Sequence, residues 1–272
     1  MKRYIYNYQT IVTFSESVVN HAVLLRCQPS VGSYMTVDEE HLVISPGFRL
    51  TKGVDQLGNR IIYGSQREGH LSLAYVSTGI VSMSPYVIRS EREVNPVYLV
   101  QTRMTEIGGG LDTLDADAPS MGADGLGMEA EWGPMLGHTV EVAEEICHKV
   151  YGMMTYMPFS TNVETTASQV MKTMQGVCQD YAHLMIGYCR RRGIPARYVC
   201  GFMEGTGETH AWVEVYDGYS WIGFDPTNDC RIIYGYVKLA HGRDASDCPV
   251  SRGLYAGQAL QQTQISVTLK EI

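Results

Sequence analysis

A thiol, an imidazole and a carboxylate stand in order along the C-terminal half of the sequence: Cys178, His210 and Asp225. A thiolate can attack a carbonyl carbon, an imidazole can move protons to and from the reacting atoms, and a carboxylate can fix the imidazole's tautomer. Together they are the working parts of acyl transfer through a thioester. Taken singly, each is ordinary. A free cysteine is commonly a small buried hydrophobe, a histidine in an alternating strand is commonly a packed or surface residue, and an aspartate before proline, as in Asp225-Pro226, is a common turn former. The elements that carry the three residues have to decide between these readings.

Gly176 breaks the helical stretch Ser168 to Met174, and the pattern predicts a new helix from Cys178 to Arg192. Its end is well marked. Arg190, Arg191 and Arg192 suit the negative pole of the helix, Gly193 suits a left-handed cap, and Pro195 prevents continuation. Cys178 then falls in the first turn, where free backbone N–H groups and the positive dipole end favour thiolate over thiol. Cys189, at the opposite end of the same helix, reads as packing.

Beyond the helix, Arg197 to Met203, THAWVEVY and WIGFD read as strands, the last two flanking Asp217 to Ser220. If Asp217-Gly218 is a two-residue type I′ turn, paired residue numbers sum to 435, and His210 stands directly opposite Asp225 on one face. Two independent local arguments, a helix-start thiol and a hairpin register, thus supply all three roles. Trp212 shares the His210 face and reads as either a wall of a substrate cleft or core. His183 lies about 140° around the helix from Cys178 and reads as packing or local bonding. Asp180 reads as a support of the helix start. The backbone N–H of Cys178 is the natural oxyanion donor, with Tyr156 as a second.

The surrounding chain is globular in composition, with 44% hydrophobic and 18% charged residues over 272 positions, which excludes a disordered tail, a collagen or a coiled coil. Residues 1 to about 100 contain six short alternating runs rich in Tyr, Val, Ile and Thr, and predict a sandwich or small barrel with a clear turn at DQLGN, Asp55 to Asn59. This half gathers no His, Cys and carboxylate cluster, so a scaffold or substrate-docking role is expected of it. From Thr105 to Trp132 the composition turns to Gly, Asp, Ala and Met, and a helix is expected over His138 to Thr155. The domains are therefore expected as a β-rich 1–103, an acidic Gly-rich linker 104–133 and a catalytic core 134–272.

The net charge of −8 argues against a nucleic-acid partner. Ten carboxylates and no Lys or Arg lie between Met104 and His148, and a solvated linker with an exposed helix face explains them better than a calcium loop. The seven cysteines have no CxxC pair or regular spacing, so neither a disulfide framework nor a zinc site is expected. No run approaches the roughly 18 to 20 apolar residues of a membrane helix, and the start lacks an unbroken apolar block. A soluble, cytoplasmic protein without membrane contact is expected.

The segments GVCQDYAHLMIGYCRRRGIPARYVCGF, THAWVEVY and WIGFDPTN closely resemble the three core motifs of the transglutaminase-like superfamily, whose Cys, His and Asp correspond to Cys178, His210 and Asp225. The resemblance extends upstream through YMPFSTNVETTASQV and downstream through HGRDASDCPVSRGLYAG, both similar to stretches of bacterial transglutaminase-like cysteine protease homologues. DQLGN and HLSLAYVSTGIV look like the β-rich region that precedes the core in those proteins. The resemblance implies an α+β, papain-like core with the cysteine helix packed on an antiparallel sheet, and chemistry at an amide carbonyl of a peptide or protein substrate. It leaves the acceptor open. Nothing here resembles the calcium sites of animal transglutaminases or the paired CxxC motifs of peptide N-glycanases, so no metal or other cofactor is expected. Hydrolysis is the favoured expectation. The alternatives are an amine-accepting transglutaminase and a non-catalytic peptide-binding module that keeps the fold.

Overall fold

In the computed structural model, residues 1–89, 94–107 and 138–272 are described. Gly108, Gly109 and Gly110 and most of the acidic segment, with Asp112, Asp115, Asp117, Asp124, Glu129 and Glu131, lie outside them, as does most of the expected linker 104–133. The chain divides into two units, each discontinuous in sequence. The first comprises Met1–Ile88, Val199–Ala211 and Ile232–Ile272, and the second Arg89–Tyr198 and Trp212–Arg231.

The chain is mostly β. In order, its elements begin with β1 (Lys2–Leu25), β2 (Met35–Ser45), β3 (Arg49–Val54), β4 (Arg60–Gln66), β5 (His70–Met83) and β6 (Val87–Arg89). The middle of the chain holds α1 (Thr139–Met153), β7 (Thr155–Tyr156), α2 (Ala167–Thr173), β8 (Gln175–Gly176) and α3 (Cys178–Arg191). It continues with β9 (Ala196–Met203), β10 (Gly205–Gly207), β11 (His210–Tyr216), β12 (Ser220–Asp225), β13 (Cys230–Arg231), β14 (Tyr236–Gly242), β15 (Ser251–Ala256) and β16 (Gln261–Glu271).

The first unit is built around β1. Its N-terminal half lies between β5 and β16, and its C-terminal half between β4 and β15, within an eight-stranded curled sheet completed by β2, β3 and β10. The first two of the six predicted runs are therefore one strand, whose register shifts between Thr13 and Val18. Period-two patterning explains its inner face: Tyr4, Tyr6, Tyr8, Thr10, Val12 and Phe14 are buried, and alternate residues are not. The DQLGN turn forms as expected. The Asp55 carboxylate accepts from the backbone N–H groups of Leu57 and Asn59, both at 2.9 Å, and Gly58 takes φ +87°.

The second unit contains the helices. α1 buries Ala143, Ile146, Cys147 and Val150 at helical spacing and packs on α3 and β12, while α2 packs on α3. α2 starts at a capping box in which Thr166 and Gln169 exchange side-chain-to-backbone bonds. α3 is buried at every position from Asp180 to Arg190, as suits a central helix. It ends where the sequence ends it: Gly193 takes φ +70° and Ile194 N–H reaches back to the Cys189 carbonyl at 2.9 Å. The buried Arg190 guanidinium donates to the carbonyls of Tyr98, Val100 and Ala196 and to Thr105 Oγ1, tying the C-terminal end of α3 to the chain that precedes the undescribed segment.

Candidate active site

Cys178 is the first residue of α3 and is partly exposed, whereas the helix behind it is buried. The chain enters through β8, which pairs in parallel with β7 so that Tyr156 faces Gly176 across the ladder. Asp180 then folds back under the helix start. Its Oδ2 accepts from the Val177 backbone N–H at 2.8 Å and from Thr161 Oγ1 at 2.6 Å. This is the supporting role read from the sequence, with Thr161 an added partner that no local pattern pointed to. Burial pushes the Asp180 carboxyl above its ordinary range, against the opposing pull of those two bonds. Gly176 is required here, because a Cβ at that position would stand 2.6 Å from Asp180 Oδ2.

The other cysteines differ sharply in setting. None of the seven is in a disulfide, and only Cys178 and Cys230 are partly exposed. Burial pushes the thiols of Cys27 and Cys189 up to about 12, and also raises those of Cys147 and Cys248. Such thiols have neither access nor a tendency to ionise.

His210 opens β11 and is partly exposed. Asp225 closes β12 and is fully buried. Its oxygens are held by the turn that follows. Oδ1 accepts from the Thr227 N–H at 2.9 Å and the Asn228 N–H at 3.3 Å, and Oδ2 accepts from Asn228 Nδ2 at 2.7 Å. One pattern in the sequence does mark Asn228: an aspartate followed three residues later by an asparagine in a Pro-containing turn.

The hairpin differs from the expected one. Val213 pairs with Phe224 and Tyr216 with Trp221, so paired numbers sum to 437 and not to 435. The loop residues are Gly218, at φ +102°, and Tyr219, while the Asp217 N–H donates to the Ser220 carbonyl at 3.0 Å. The Asp217 carboxylate explains the slip, because it accepts from the N–H groups of Tyr219 and Ser220 at 2.8 and 2.7 Å and so sits at the flank of the turn. Glycine in the first loop position fits a type II′ turn better than the expected I′. Carried one step past Val213 and Phe224, this register sets Asp225 against Trp212, so the direct opposition of His210 and Asp225 is corrected.

The remaining residues are accounted for within their own unit. Trp212, read as either cleft wall or core, is 0% exposed. His183 is buried beside Tyr198, with ring centroids 5.4 Å apart. Tyr156 is 53% exposed, its ring 6.3 Å from that of Tyr181. Between β9 and β11 a buried pair braces the sheet, Arg197 Nε to Glu214 Oε2 at 2.5 Å, with the guanidinium 3.9 Å from the centre of the Trp221 ring. Among the described residues no group of three His, Cys, Asp or Glu could hold a metal ion, and no helix is long and apolar enough to cross a membrane.

Residues 135–226 match the family model of the transglutaminase-like superfamily core. An uncharacterized protein of Mycobacterium tuberculosis H37Rv is 29% identical over 92% of this chain and 84% of its own length, and one of Mycobacterium leprae is 32% identical over 44% and 46%. Among solved structures, one described as a candidate cysteine protease from Cytophaga hutchinsonii superposes with a TM-score of 0.70 at 22% identity, covering 99% of this chain and 91% of the other. That likeness shows the fold, an α+β architecture of the papain-like kind. The match of the core supports a cysteine-based catalytic role. The likeness to the transglutaminase-like superfamily is thus carried by residues 135–226, the segment that matches the model of that superfamily's core and that holds Cys178, His210 and Asp225.

Proposed function

We propose that the protein hydrolyses a peptide or isopeptide-like amide, with Cys178 as nucleophile, His210 as base and Asp225 as the carboxylate that orients the imidazole. The observation that carries this reading is the setting of Cys178: a partly exposed thiol on the first residue of a buried helix, next to a segment held by Asp180. The hairpin register supports the other two roles in parity, because a slip of two leaves each residue on the strand face it would otherwise take. The fixed, buried carboxylate of Asp225 suits a group that must hold an imidazole without itself changing protonation.

The chemistry runs in two halves. The Cys178 thiolate attacks the amide carbonyl, the C–S bond forms, and the imidazolium of His210 gives its proton to the amide nitrogen as the C–N bond breaks. The developing oxyanion is met by the backbone N–H of Cys178, with the Tyr156 hydroxyl as second donor. Water then attacks the thioester, His210 takes a proton, and breaking of the C–S bond releases the carboxylic acid and restores the thiolate. The substrate is a peptide or protein, the step needs no metal or other cofactor, and seven thiols outside any disulfide suit a reducing, cytoplasmic setting.

Incubation with a mixed peptide pool in ¹⁸O water, with and without a primary amine, tests the acceptor by mass spectrometry. Hydrolysis predicts new carboxyl termini carrying ¹⁸O, insensitive to EDTA. Amine adducts that depend on calcium would instead assign a cross-linking transferase, and no product with either acceptor would favour the peptide-binding module.

A further inference from the structure

From Tyr156, the last residue of β7, to Val163, ahead of α2, the chain presents apolar side chains to solvent. Phe159 is 102% exposed, Val163 79%, Tyr156 53% and Met157 40%. Isolated exposed hydrophobics are normal on a protein surface, but four within eight residues form a patch. This stretch is also firmly held. Met157 N–H donates to the Gly176 carbonyl at 2.9 Å, Ser160 Oγ to the Met157 carbonyl at 2.7 Å, and Thr161 Oγ1 to Asp180 at 2.6 Å. Two of these three bonds end within two residues of Cys178. Phe159 itself sits at φ +64°, a region that a bulky residue occupies only at a cost, and its ring makes no buried contact that would offset it.

The patch starts close to the nucleophile along the chain's hydrogen bonds, because the Met157 N–H donates to the Gly176 carbonyl two residues before Cys178. Tyr181 is three residues along α3 from Cys178 and so neighbours it on the helix surface, and the Tyr156 ring lies 6.3 Å from Tyr181. Tyr181 itself is buried, so the exposed patch consists of Tyr156, Met157, Phe159 and Val163. From Thr155 to Thr166 only Glu164 is charged, which favours an apolar occupant over an acidic one.

We propose that residues 156–163 form a specificity subsite that takes a large apolar side chain of the substrate, on one of the two residues flanking the attacked carbonyl on its acyl side. The inference rests on Cys178 being the nucleophile. It adds the substrate class: peptides bearing an aromatic or large aliphatic residue at that place, laid against Phe159 and Met157.

Peptidyl chloromethyl ketones test it without a known substrate, since the thiolate displaces chloride and forms a C–S bond that mass spectrometry locates. Two series vary either the residue next to the ketone or the one before it, each with Phe, Leu, Ala or Asp. Alkylation rates at Cys178 are normalised to that of iodoacetamide on the same protein. In one series the Phe and Leu reagents should exceed the Asp reagent by at least about ten-fold, the size expected of one large apolar group in a pocket. In Phe159→Ser and Met157→Ser the ratio should fall toward one, and Phe159→Leu should keep it. Phe159→Gly, which removes an exposed ring and tolerates the positive φ, should lose selectivity without a lower melting temperature. Equal rates across both series, or a preference that survives both serine variants, would overturn the subsite. A dimer that dissociates in Phe159→Ser would do so too, by assigning the patch to self-association. If iodoacetamide leaves Cys178 unmodified, the functional reading fails first, whereas a reactive Cys178 with indifferent ketones sinks the subsite alone.

Discussion

Asn228 gives its side-chain amide to the carboxylate of Asp225, Nδ2 to Oδ2 at 2.7 Å, inside the turn whose backbone N–H groups hold the other oxygen. In the proposed triad, a carboxylate fixed from its own turn offers an imidazole one orientation, and Asn228 is one of the groups that hold it. Asn228→Ala should lower kcat about ten-fold with little change in KM, in line with losing a hydrogen bond to a charged group worth about 1.5–3 kcal/mol. Asp225→Asn should cost about 10⁴-fold, the loss known when a triad carboxylate becomes an amide, while the far-ultraviolet dichroism stays unchanged. Equal kcat in Asn228→Ala and wild type would remove Asn228 from the account.

The parts of this arrangement set by local rules could be read from the sequence. The arginine run, Gly193 and Pro195 mark the end of α3, and the break at Gly176 marks its start near Cys178. The hairpin can be read in existence but not in register, because dipeptide preference puts Asp217-Gly218 in the loop while the Asp217 side chain makes Asp217 the flank. Turn chemistry of this kind depends on which backbone N–H the carboxylate meets, and dipeptide preference does not determine that. Thr161 and Asn228 were missed for a related reason. Each acts through one hydrogen bond to a buried carboxylate, and a lone Thr or Asn in a loop looks like any other turn residue. The division of the chain is a third case: β9 and β11 each pass from one unit into the other, and composition marks no boundary inside a strand.

The buried Arg197–Glu214 pair makes a stability prediction. Glu214→Ala leaves a buried guanidinium without this carboxylate and should destabilise by about 3–5 kcal/mol, read from the urea midpoint at unchanged slope. Replacing both residues with apolar ones of similar volume should recover most of that loss. A single variant that unfolds at the wild-type midpoint would show that the pair adds nothing.

His21 and His70 predict a pH dependence. His70 Nδ1 donates to the Glu68 carbonyl at 3.1 Å, so its Nε2 accepts from His21 Nδ1 at 3.0 Å, within a surround of Phe14, Phe48 and Tyr255. Burial, helped by the neighbouring His70, lowers His21 from 6.5 to about 4. The folded protein therefore binds fewer protons than the unfolded chain between those values. The contribution of His21 is whole above about pH 6.5 and is lost as the pH falls toward about 4. Urea midpoints taken every half unit should fall across this window more steeply in wild type than in His21→Gln. Parallel curves would refute the assignment.

The central claim is that Cys178 is the nucleophile, and timed alkylation of the native protein reads it most directly. Five of the seven thiols are buried, so the comparison lies between Cys178 and Cys230, the two with access. At pH 6 with limiting iodoacetamide and mass-spectrometric mapping, access alone would label both at similar rates. An activated thiolate predicts that Cys178 is labelled first, by at least about ten-fold, with turnover lost in proportion to its modification and not to that of Cys230. Faster labelling of Cys230, or full activity with Cys178 modified, would contradict the account.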